Sequence, residues 1–302
     1  MKKDLLRISE LSRDEIEGLL RRAIELKSMQ KKGISHQPLA GKTMGMIFEK
    51  SSTRTRVSFE VGMMQLGGNA IFLSPRDTQI GRGEPVSDSA RVLSRYLDGI
   101  MIRTYSQEML EEFAKYSGVP VINGLTDLLH PCQVLTDLMT IKEKKAGLRD
   151  LKIAWIGDGN NMANSWIAAA ARLGFELSLA TPASHRPDSK ILEEAERNGA
   201  KINLVESPLE AAKDADVINT DVWASMGQEE EYEDRKRLFA SYQVNSELLT
   251  AAKSDAIVMH CLPAHRGEEI TDEVMEGPQS VIFDQAENRL HLQKAILEKL
   301  LG

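Results

Sequence analysis

The chain has 302 residues, 42% of them hydrophobic and 27% charged, a length and composition typical of a globular protein with two domains. Its formal net charge of −7 argues against a general nucleic-acid-binding protein, which usually carries a basic excess. The sequence has no apolar run of about 18 residues that would predict a membrane span, its start lacks the pattern of a signal peptide, and the two cysteines, Cys132 and Cys261, are too few for a disulfide framework. We therefore expect a cytoplasmic protein that binds neither membranes nor nucleic acids.

The first half of the chain is predicted to alternate helices with strands. Ser12 and Glu15 form a capping-box pattern, and the apolar residues from Ile16 to Ile24 follow helical spacing, which predicts a first helix. Because strands that alternate with helices pair in parallel, we expect a parallel sheet covered by helices. The predicted strands are Thr43–Phe48, Ala70–Leu73, Gly99–Arg103 and Val119–Ile122, and the predicted helices are Thr53–Leu66, Val86–Leu97, Gln107–Tyr116 and Pro131 to about Lys144.

A second alternating series follows the charged segment Lys142–Lys145 and Gly147, which look like a domain junction. The predicted fold class is therefore α/β, with two doubly wound domains that each have a central parallel sheet flanked by helices. We expect one domain at residues 1–146, with the C-terminal helix 286–302 packing back on it, and the other at 147–285. The predicted strands of this series are Lys152–Ile156, Leu177–Ala180, Ile202–Val205, Val217–Asn219, Ile257–His260 and Val281–Phe283, and the last predicted helix is Ala286–Leu301.

The segment Ser51–Arg56 lies between a predicted strand and a predicted helix. The free N–H groups and the dipole of a helix start favour an anion there. Planar guanidinium groups also suit phosphate. The segment supplies both hydroxyl and guanidinium donors, from Ser52, Thr53 and Thr55 and from Arg54 and Arg56. It therefore predicts a phosphate site, and the alternative is a capped helix with solvated arginines.

A dinucleotide site is not expected. The segment Gly157–Met162 follows a predicted strand and has two of the three glycines of the dinucleotide fingerprint, but Met162 takes the third place. The next predicted strand ends in Ala180-Thr181-Pro182, without the acidic residue that would bind a ribose. These two absences argue against NAD as a cofactor.

Three further residues are candidates for contact with an anion. Arg103 ends a predicted strand, where ligand sites of doubly wound folds lie. His130 and Gln133 flank the start of the helix predicted from Pro131, so both side chains can face one anion. The alternatives are a surface arginine and a helix cap beside a buried Cys132. A metal site is not expected, because the histidines and cysteines lack paired ligand spacing.

These segments together resemble the transcarbamylases. The resemblance rests on four motifs whose order and separations match over essentially the whole chain: Ser52-Thr53-Arg54-Thr55, Arg103, His130-Pro131-x-Gln133 and His260-Cys261-Leu262-Pro263. Within that family, Asp221-Val222-Trp223-Ala224-Ser225-Met226-Gly227 is similar to the signature of the ornithine-type members. The resemblance implies transfer of the carbamoyl group of carbamoyl phosphate to the side-chain amine of L-ornithine, giving L-citrulline and phosphate. Direct amine attack would pass through a tetrahedral intermediate, without a cofactor.

The resemblance also implies roles for residues in binding carbamoyl phosphate. Arg103, His130 and Thr55 would donate to the carbamoyl oxygen, and with Cys261 they form the expected catalytic set. Gln133 and the Leu262 carbonyl would hold the carbamoyl amide, with a cis bond before Pro263. The phosphate would be held by Ser52, Thr53, Arg54, Thr55 and Arg289, and Gln79 would reach into a neighbouring subunit's site.

For ornithine, the resemblance implies that Asn161, Asp221, Ser225 and Met226 bind the α-carboxylate and α-amino groups, with Cys261 near the attacking amine. It further implies a homotrimer or a multiple of one. Two alternatives remain open at this stage: a carbamoyltransferase with another acceptor amine, and a catalytically silent relative that binds carbamoyl phosphate. The direction also stays open, because the same site can serve arginine biosynthesis or phosphorolysis of citrulline.

Overall fold

The computed structural model of the chain describes residues 4–74, 83–145, 147–224 and 231–302. The chain divides into two compact units, of which the first comprises residues 1–139 with 288–302 and the second comprises residues 140–287. Among the described residues, no helix combines the length and apolar character that a membrane span requires.

The strands form two parallel sheets, one in each unit. In the first unit the strand order is β2-β1-β3-β4, and in the second it is β7-β6-β5-β8-β9. This arrangement confirms the predicted α/β fold with two helix-flanked parallel sheets. The strands are β1 (Thr43–Phe48), β2 (Asn69–Leu73), β3 (Gly99–Arg103), β4 (Val121–Leu125), β5 (Lys152–Ile156), β6 (Glu176–Ala180), β7 (Lys201–Val205), β8 (Val217–Thr220) and β9 (Ile257–His260).

The helices lie between the strands, as the alternating pattern predicts. The first begins at Ser12, whose side chain and that of Glu15 form the predicted capping box. The helices are α1 (Arg13–Lys31), α2 (Thr53–Gln65), α3 (Val86–Leu93), α4 (Gln107–Tyr116), α5 (Pro131–Lys144), α6 (Asn161–Leu173), α7 (Ser189–Arg197), α8 (Pro208–Ala212), α9 (Tyr232–Phe239), α10 (Ser246–Ala251), α11 (Asp272–Met275) and α12 (Ile282–Leu301).

The predicted strand at Val281–Phe283 is wrong. Helix α12 already begins at Ile282, and only Ser280 makes an isolated parallel bridge, to Val258. Three consecutive apolar residues suit a buried strand and a buried first helical turn equally well, so their composition does not distinguish the two. The last helix therefore starts earlier than the predicted Ala286.

Two other boundaries differ for identifiable reasons. The predicted helix Val86–Leu97 ends at Leu93, where the Ser94 hydroxyl donates to the Ala90 carbonyl at 2.6 Å and so competes with continued helical pairing. Strand β4 starts at Val121 rather than at Val119, because Pro120 has no N–H to donate to a neighbouring strand.

Each sheet reverses its strand order at one place, and these places locate the candidate site residues. In the first unit β1 lies between β2 and β3, and in the second β5 lies between β6 and β8. Ligands of open parallel sheets bind beyond the strand C-termini at such reversals. We therefore look for chemistry after β1 and β3 in one unit and after β5 and β8 in the other.

Candidate functional site

The segment after β1 forms a capped helix start. Ser52 is the N-cap of α2, and its hydroxyl oxygen accepts from the Thr55 backbone N–H at 3.3 Å. The Ser52 hydroxyl also donates to the Thr55 hydroxyl oxygen at 3.1 Å. Thr53 is exposed and Arg54 half-buried, whereas Thr55 is buried. The first turn of α2 therefore combines a positive helix end with accessible donors, which suits an anion.

Arg289 of α12 joins this segment to α5. Its Nη2 donates to the Thr55 hydroxyl oxygen at 2.8 Å, and its Nη1 donates to Oε1 of Gln133. Only 3% of Arg289 is exposed, so its charge is held away from solvent inside the first unit. Three segments far apart in the sequence thus meet through one guanidinium group. We call Ser52, Thr55, Gln133 and Arg289 the anion cluster.

The orientation of the Gln133 amide follows from its neighbours. A guanidinium group can only donate hydrogen bonds, so the amide end that faces Arg289 must be Oε1. The other end, Nε2, donates to Oδ1 of Asp137 at 2.8 Å. Gln133 and Asp137 are one helical turn apart in α5, and both are buried. Sequence reasoning missed Asp137, although its spacing of four residues from Gln133 was the available signal.

His130 is buried immediately before α5. Burial lowers the pKa of His130 well below its ordinary value, and the positive charges of Arg289 and Arg103 lower it further. The imidazole is therefore neutral at physiological pH, and a neutral imidazole carries one N–H donor. The neighbouring Cys132 is also buried, and burial raises the pKa of its thiol to about 12 against the opposing charge of Arg289. Cys132 is therefore a packing residue rather than a nucleophile.

The second unit gathers carboxylates after β5 and β8. Asp221 follows β8. Its Oδ1 accepts two hydrogen bonds, from the Val222 backbone N–H at 2.9 Å and from the Cys261 thiol at 3.0 Å. Its Oδ2 accepts from the Asn160 side chain at 3.1 Å. Asn160 also caps α6 through hydrogen bonds from two backbone N–H groups. We call Asp158, Asn160, Asp221 and Cys261 the carboxylate cluster.

Asp158 is the second carboxylate of this cluster. It is buried and forms an ion pair with Nη2 of Arg235 in α9. Burial raises the pKa of Asp158 to about 6, while Arg235 lowers it and the nearby charge of Asp221 raises it. Arg235 also donates from Nε to the Trp223 carbonyl oxygen at 2.5 Å. The Arg235 guanidinium thus ties α9 to the residues that follow β5 and β8.

A loop after β9 carries Cys261 and Leu262. The peptide bond between Leu262 and Pro263 is cis, as predicted, and Leu262 has φ +60. The Leu262 N–H donates to Nδ1 of His260 at 2.8 Å. Nε2 of His260 lies 3.0 Å from Oε1 of Glu269, and both side chains are buried.

The structure brings together many of the predicted residues within each unit. In the first unit Thr55, Gln133 and Arg289 are hydrogen bonded in one network, while Arg103 and Arg289 both act on the pKa of His130. In the second unit Cys261 contacts Asp221. Asn161, the first residue of α6, accepts the Ser165 hydroxyl on its carbonyl, and it is the neighbouring Asn160 that contacts Asp221. Gln79, Ser225 and Met226 lie outside the described residues.

Two groups of described residues place possible metal-ligand atoms within 4.8 Å of one another. One group is Asp221, His260 and Cys261, and the other is His265, Glu268 and Glu269. In the first group both ring nitrogens of His260 are engaged, one by the Leu262 N–H and the other by Glu269. A metal on His260 would therefore have to displace one of these buried hydrogen bonds. The geometry favours a hydrogen-bonded role for this histidine.

Two models of known protein families match the sequence, one over most of each unit. The profile of the aspartate/ornithine carbamoyltransferase carbamoyl-phosphate-binding domain matches residues 3–143, and that of the Asp/Orn-binding domain matches residues 149–300. The ornithine carbamoyltransferase of Syntrophus aciditrophicus is 62% identical over 302 residues and covers 100% of both chains. That of Desulfotalea psychrophila is 60% identical and covers 98% of each.

The fold is also similar to solved structures of ornithine carbamoyltransferases. The ornithine carbamoyltransferase of Pyrococcus furiosus superposes with a TM-score of 0.94 at 52% identity, over 97% of this chain and 95% of that one. The anabolic ornithine carbamoyltransferase of Campylobacter jejuni superposes with a TM-score of 0.93 at 45% identity, over 99% of each chain.

Proposed function

The chain belongs to the aspartate/ornithine carbamoyltransferase family, and from that premise we propose how its residues divide one reaction between them. The enzyme transfers the carbamoyl group of carbamoyl phosphate to the side-chain amine of L-ornithine, which yields L-citrulline and phosphate. The observation that carries our assignment is the buried Arg289, which donates to Thr55 and Gln133 in one unit. In the second unit the corresponding charged group is the carboxylate of Asp221.

The first unit holds carbamoyl phosphate in this proposal. We assign this role to residues 1–146 with the helix 286–302, and we assign ornithine binding to 147–285. The phosphate receives donors from the first turn of α2, which are Ser52, Thr53, Arg54 and Thr55, and from Arg289. Support comes from the helix start, which favours a dianion, and from guanidinium groups that match phosphate oxygens.

The carbamoyl group is polarised by Arg103, His130 and Thr55. The tetrahedral intermediate places negative charge on the former carbonyl oxygen, and each donor aimed at it is worth roughly 3–4 kcal/mol in comparable sites. A neutral His130, whose pKa is lowered by burial, is a donor that needs no proton transfer of its own. Oε1 of Gln133 and the Leu262 carbonyl accept from the carbamoyl amide, as the amide's two N–H groups require.

Ornithine is held by the second unit. Asp221 attracts its α-ammonium group, and Cys261, whose thiol contacts Asp221, lies beside the attacking amine and also contributes to the carbamoyl-phosphate site. Asn161, Ser225 and Met226 complete the ornithine site in this proposal. The attacking amine must lose its proton, because a lysine-like amine has a pKa of about 10.4. Nearby guanidinium charges lower that pKa and so favour the nucleophilic form.

One assay tests the reaction and its acceptor. The purified protein is incubated with carbamoyl phosphate and a panel of amines that includes L-ornithine, putrescine, L-aspartate and L-lysine, and phosphate and ureido products are measured. We expect phosphate release and citrulline formation with ornithine alone. Release with another amine would change the acceptor, and no release above spontaneous decay would contradict an enzymatic role.

We further propose that the enzyme is a homotrimer or a multiple of trimers, with Gln79 reaching a neighbouring subunit's site. Support comes from apolar side chains that the first unit exposes on α2 and the edge strand β2, namely Val57, Met64 and Ile71. Sedimentation velocity should give three times the mass of one chain, or a multiple of it. M64K should shift that distribution towards smaller species, whereas L209K, which changes an exposed leucine of the second unit, should leave it unchanged.

The direction and location are also proposals. The Campylobacter jejuni relative is described as anabolic, which supports citrulline formation for arginine biosynthesis. Both cysteines are free thiols, which suits the reducing cytoplasm. A faster rate of citrulline synthesis than of phosphorolysis at equal substrate saturation supports the first proposal, and fractionation of cells with an antibody against the chain tests the second.

A further inference from the structure

Leu262 has a backbone conformation that leucine does not favour by itself. Its φ of +60 lies in the left-handed region, where the Cβ atom of an L-residue crowds the carbonyl oxygen. Such a residue persists when its surroundings hold it there. The contacts of Leu262 therefore show what fixes the direction of its peptide groups.

The direct contact of the Leu262 peptide is with His260. The Leu262 N–H donates to Nδ1 of His260 at 2.8 Å, so Nδ1 carries a lone pair. In a neutral imidazole the proton must then lie on Nε2. Nε2 is 3.0 Å from Oε1 of Glu269, so the Nε2–H donates to that carboxylate. The His260 ring thus makes two hydrogen bonds, and only the tautomer with its proton on Nε2 satisfies both.

Glu269 closes the same loop from its other end. The oxygen that accepts from His260 also accepts from the His265 backbone N–H at 2.6 Å. Cys261, Leu262, Pro263 and Ala264 lie between these two anchors. At the β9 end, the backbone N–H of His260 donates to Oε1 of Gln285 at 3.0 Å.

This arrangement is buried and is not itself exposed to substrate. The exposed fraction is 1% for His260 and 0% for Glu269, so neither hydrogen bond competes with bulk water. We infer that His260 and Glu269 are positioning residues that hold the Leu262 peptide in the conformation in which its carbonyl accepts from the carbamoyl amide. The inference rests on the role proposed above for the Leu262 carbonyl, and it adds the residues that set its direction.

Two substitutions of His260 separate its two ring nitrogens. In H260N the Asn oxygen can take the place of Nδ1 and accept from Leu262, but the side chain does not reach Glu269. In H260Q the amide reaches the place of Nε2 and can donate to Glu269, but the Leu262 N–H has no acceptor. Both variants lose the ring and each keeps one of the two hydrogen bonds, so their comparison weighs the bond to Leu262 against the bond to Glu269 at a similar loss of packing.

The measurement is steady-state kinetics for both substrates, with thermal unfolding of the same samples. We expect H260Q to lose about 100-fold in kcat/KM for carbamoyl phosphate, the scale of an error of about 1 Å in positioning. H260N should retain at least about tenfold more activity than H260Q, even where the two unfold at the same temperature. Equal kcat/KM values for the two variants, or activity that only follows the unfolding temperature, would overturn the inference.

A second pair keeps the test decisive if a His260 variant does not fold. E269Q retains an oxygen that can accept from His260 or His265, whereas E269M cannot accept from either. The inference requires E269Q to be the more active of the two, again in kcat/KM for carbamoyl phosphate, and equal activity would contradict it.

The same data distinguish failure of the inference from failure of the proposed residue roles. If the loss in H260Q appears only in the KM for ornithine, the Leu262 carbonyl does not contact the carbamoyl amide, and both the role and the inference fall. If the unaltered protein makes no citrulline, the proposed function itself is wrong, whatever the variants do.

Discussion

The anion cluster and the carboxylate cluster are built from opposite chemistry at equivalent places in two similar sheets. In the first unit, a helix start and the buried Arg289 supply donors and positive charge after β1. In the second, Asp158 and Asp221 supply negative charge after β5 and β8. The fold alone therefore does not select the ligand. The side chains at the order reversal decide which unit attracts a phosphate and which attracts an ammonium group.

The clusters also differ in how their charges are balanced. Arg289 donates to neutral oxygens of Thr55 and Gln133, and neither of these two contacts is an ion pair. Asp158 is paired with Arg235, whereas the described hydrogen-bond donors to Asp221 are neutral: the Asn160 amide, the Cys261 thiol and the Val222 N–H. We therefore assign the ammonium group of the ligand to Asp221 rather than to Asp158.

The largest expected effect comes from removing His130, the residue that we propose donates to the carbamoyl oxygen. H130A should lower kcat by about 10²- to 10³-fold, the usual loss for one donor to an oxyanion, while the KM for ornithine changes little. His36, which contacts Glu298 in the first unit, provides the control, and H36A should leave kcat unchanged. A loss of similar size in both variants would attribute the effect to stability rather than to polarisation.

The next effect is the dependence of stability on pH that the buried Asp158 introduces. The pKa of Asp158 is raised from 3.8 to about 6 by burial, so between these values the folded state binds more protons than the unfolded state. Stability from this group is therefore fully present below about pH 4 and is lost as pH rises through about 6, by up to about 3 kcal/mol.

Urea unfolding of the wild type and of D158N between pH 4 and 7 measures this contribution. As pH rises across that interval, the unfolding free energy of the wild type should fall relative to that of D158N. A difference that stays constant with pH would mean that burial does not raise the pKa of Asp158 in the folded protein.

A smaller effect is expected from the amide orientation in the first unit. In D137N the side chain can either donate to or accept from Gln133, so Oε1 is no longer the only end that faces a ligand. The KM for carbamoyl phosphate should rise by about tenfold, the scale of one hydrogen bond. D150N, at an exposed position of the second unit, should not change it. An unchanged KM in D137N would show that Arg289 alone orients Gln133.

Much of this organisation was predictable because it depends on local signals. The capping box at Ser12, the strands with uninterrupted apolar runs and the polar segment between β1 and α2 all follow from residue type and spacing. The strand ends then predict where charged side chains collect, since parallel strands bring their C-termini to one edge. The strand prediction for Val281–Phe283 was wrong because three consecutive apolar residues are too few to show whether the spacing is that of a strand or of a helix.

The contacts that support the clusters were less predictable. Asp137 has a helical signal, being four residues after Gln133, but Asp158–Arg235 and His260–Glu269 join residues whose proximity depends on packing. Nothing in the sequence near Arg235 distinguishes it from the other charged residues of α9. Asn160 contacts Asp221 because the N-cap position turns its side chain towards the strand ends.

The division of substrates between the two units is tested most directly by a crossed pair of variants, R54M in the first unit and D221N in the second, with KM measured for both substrates. Loss of one charged hydrogen bond predicts a rise of roughly 10- to 100-fold. The account predicts that R54M raises the KM for carbamoyl phosphate and not that for ornithine, and that D221N does the reverse. Rises of equal size for both substrates in either variant would contradict it.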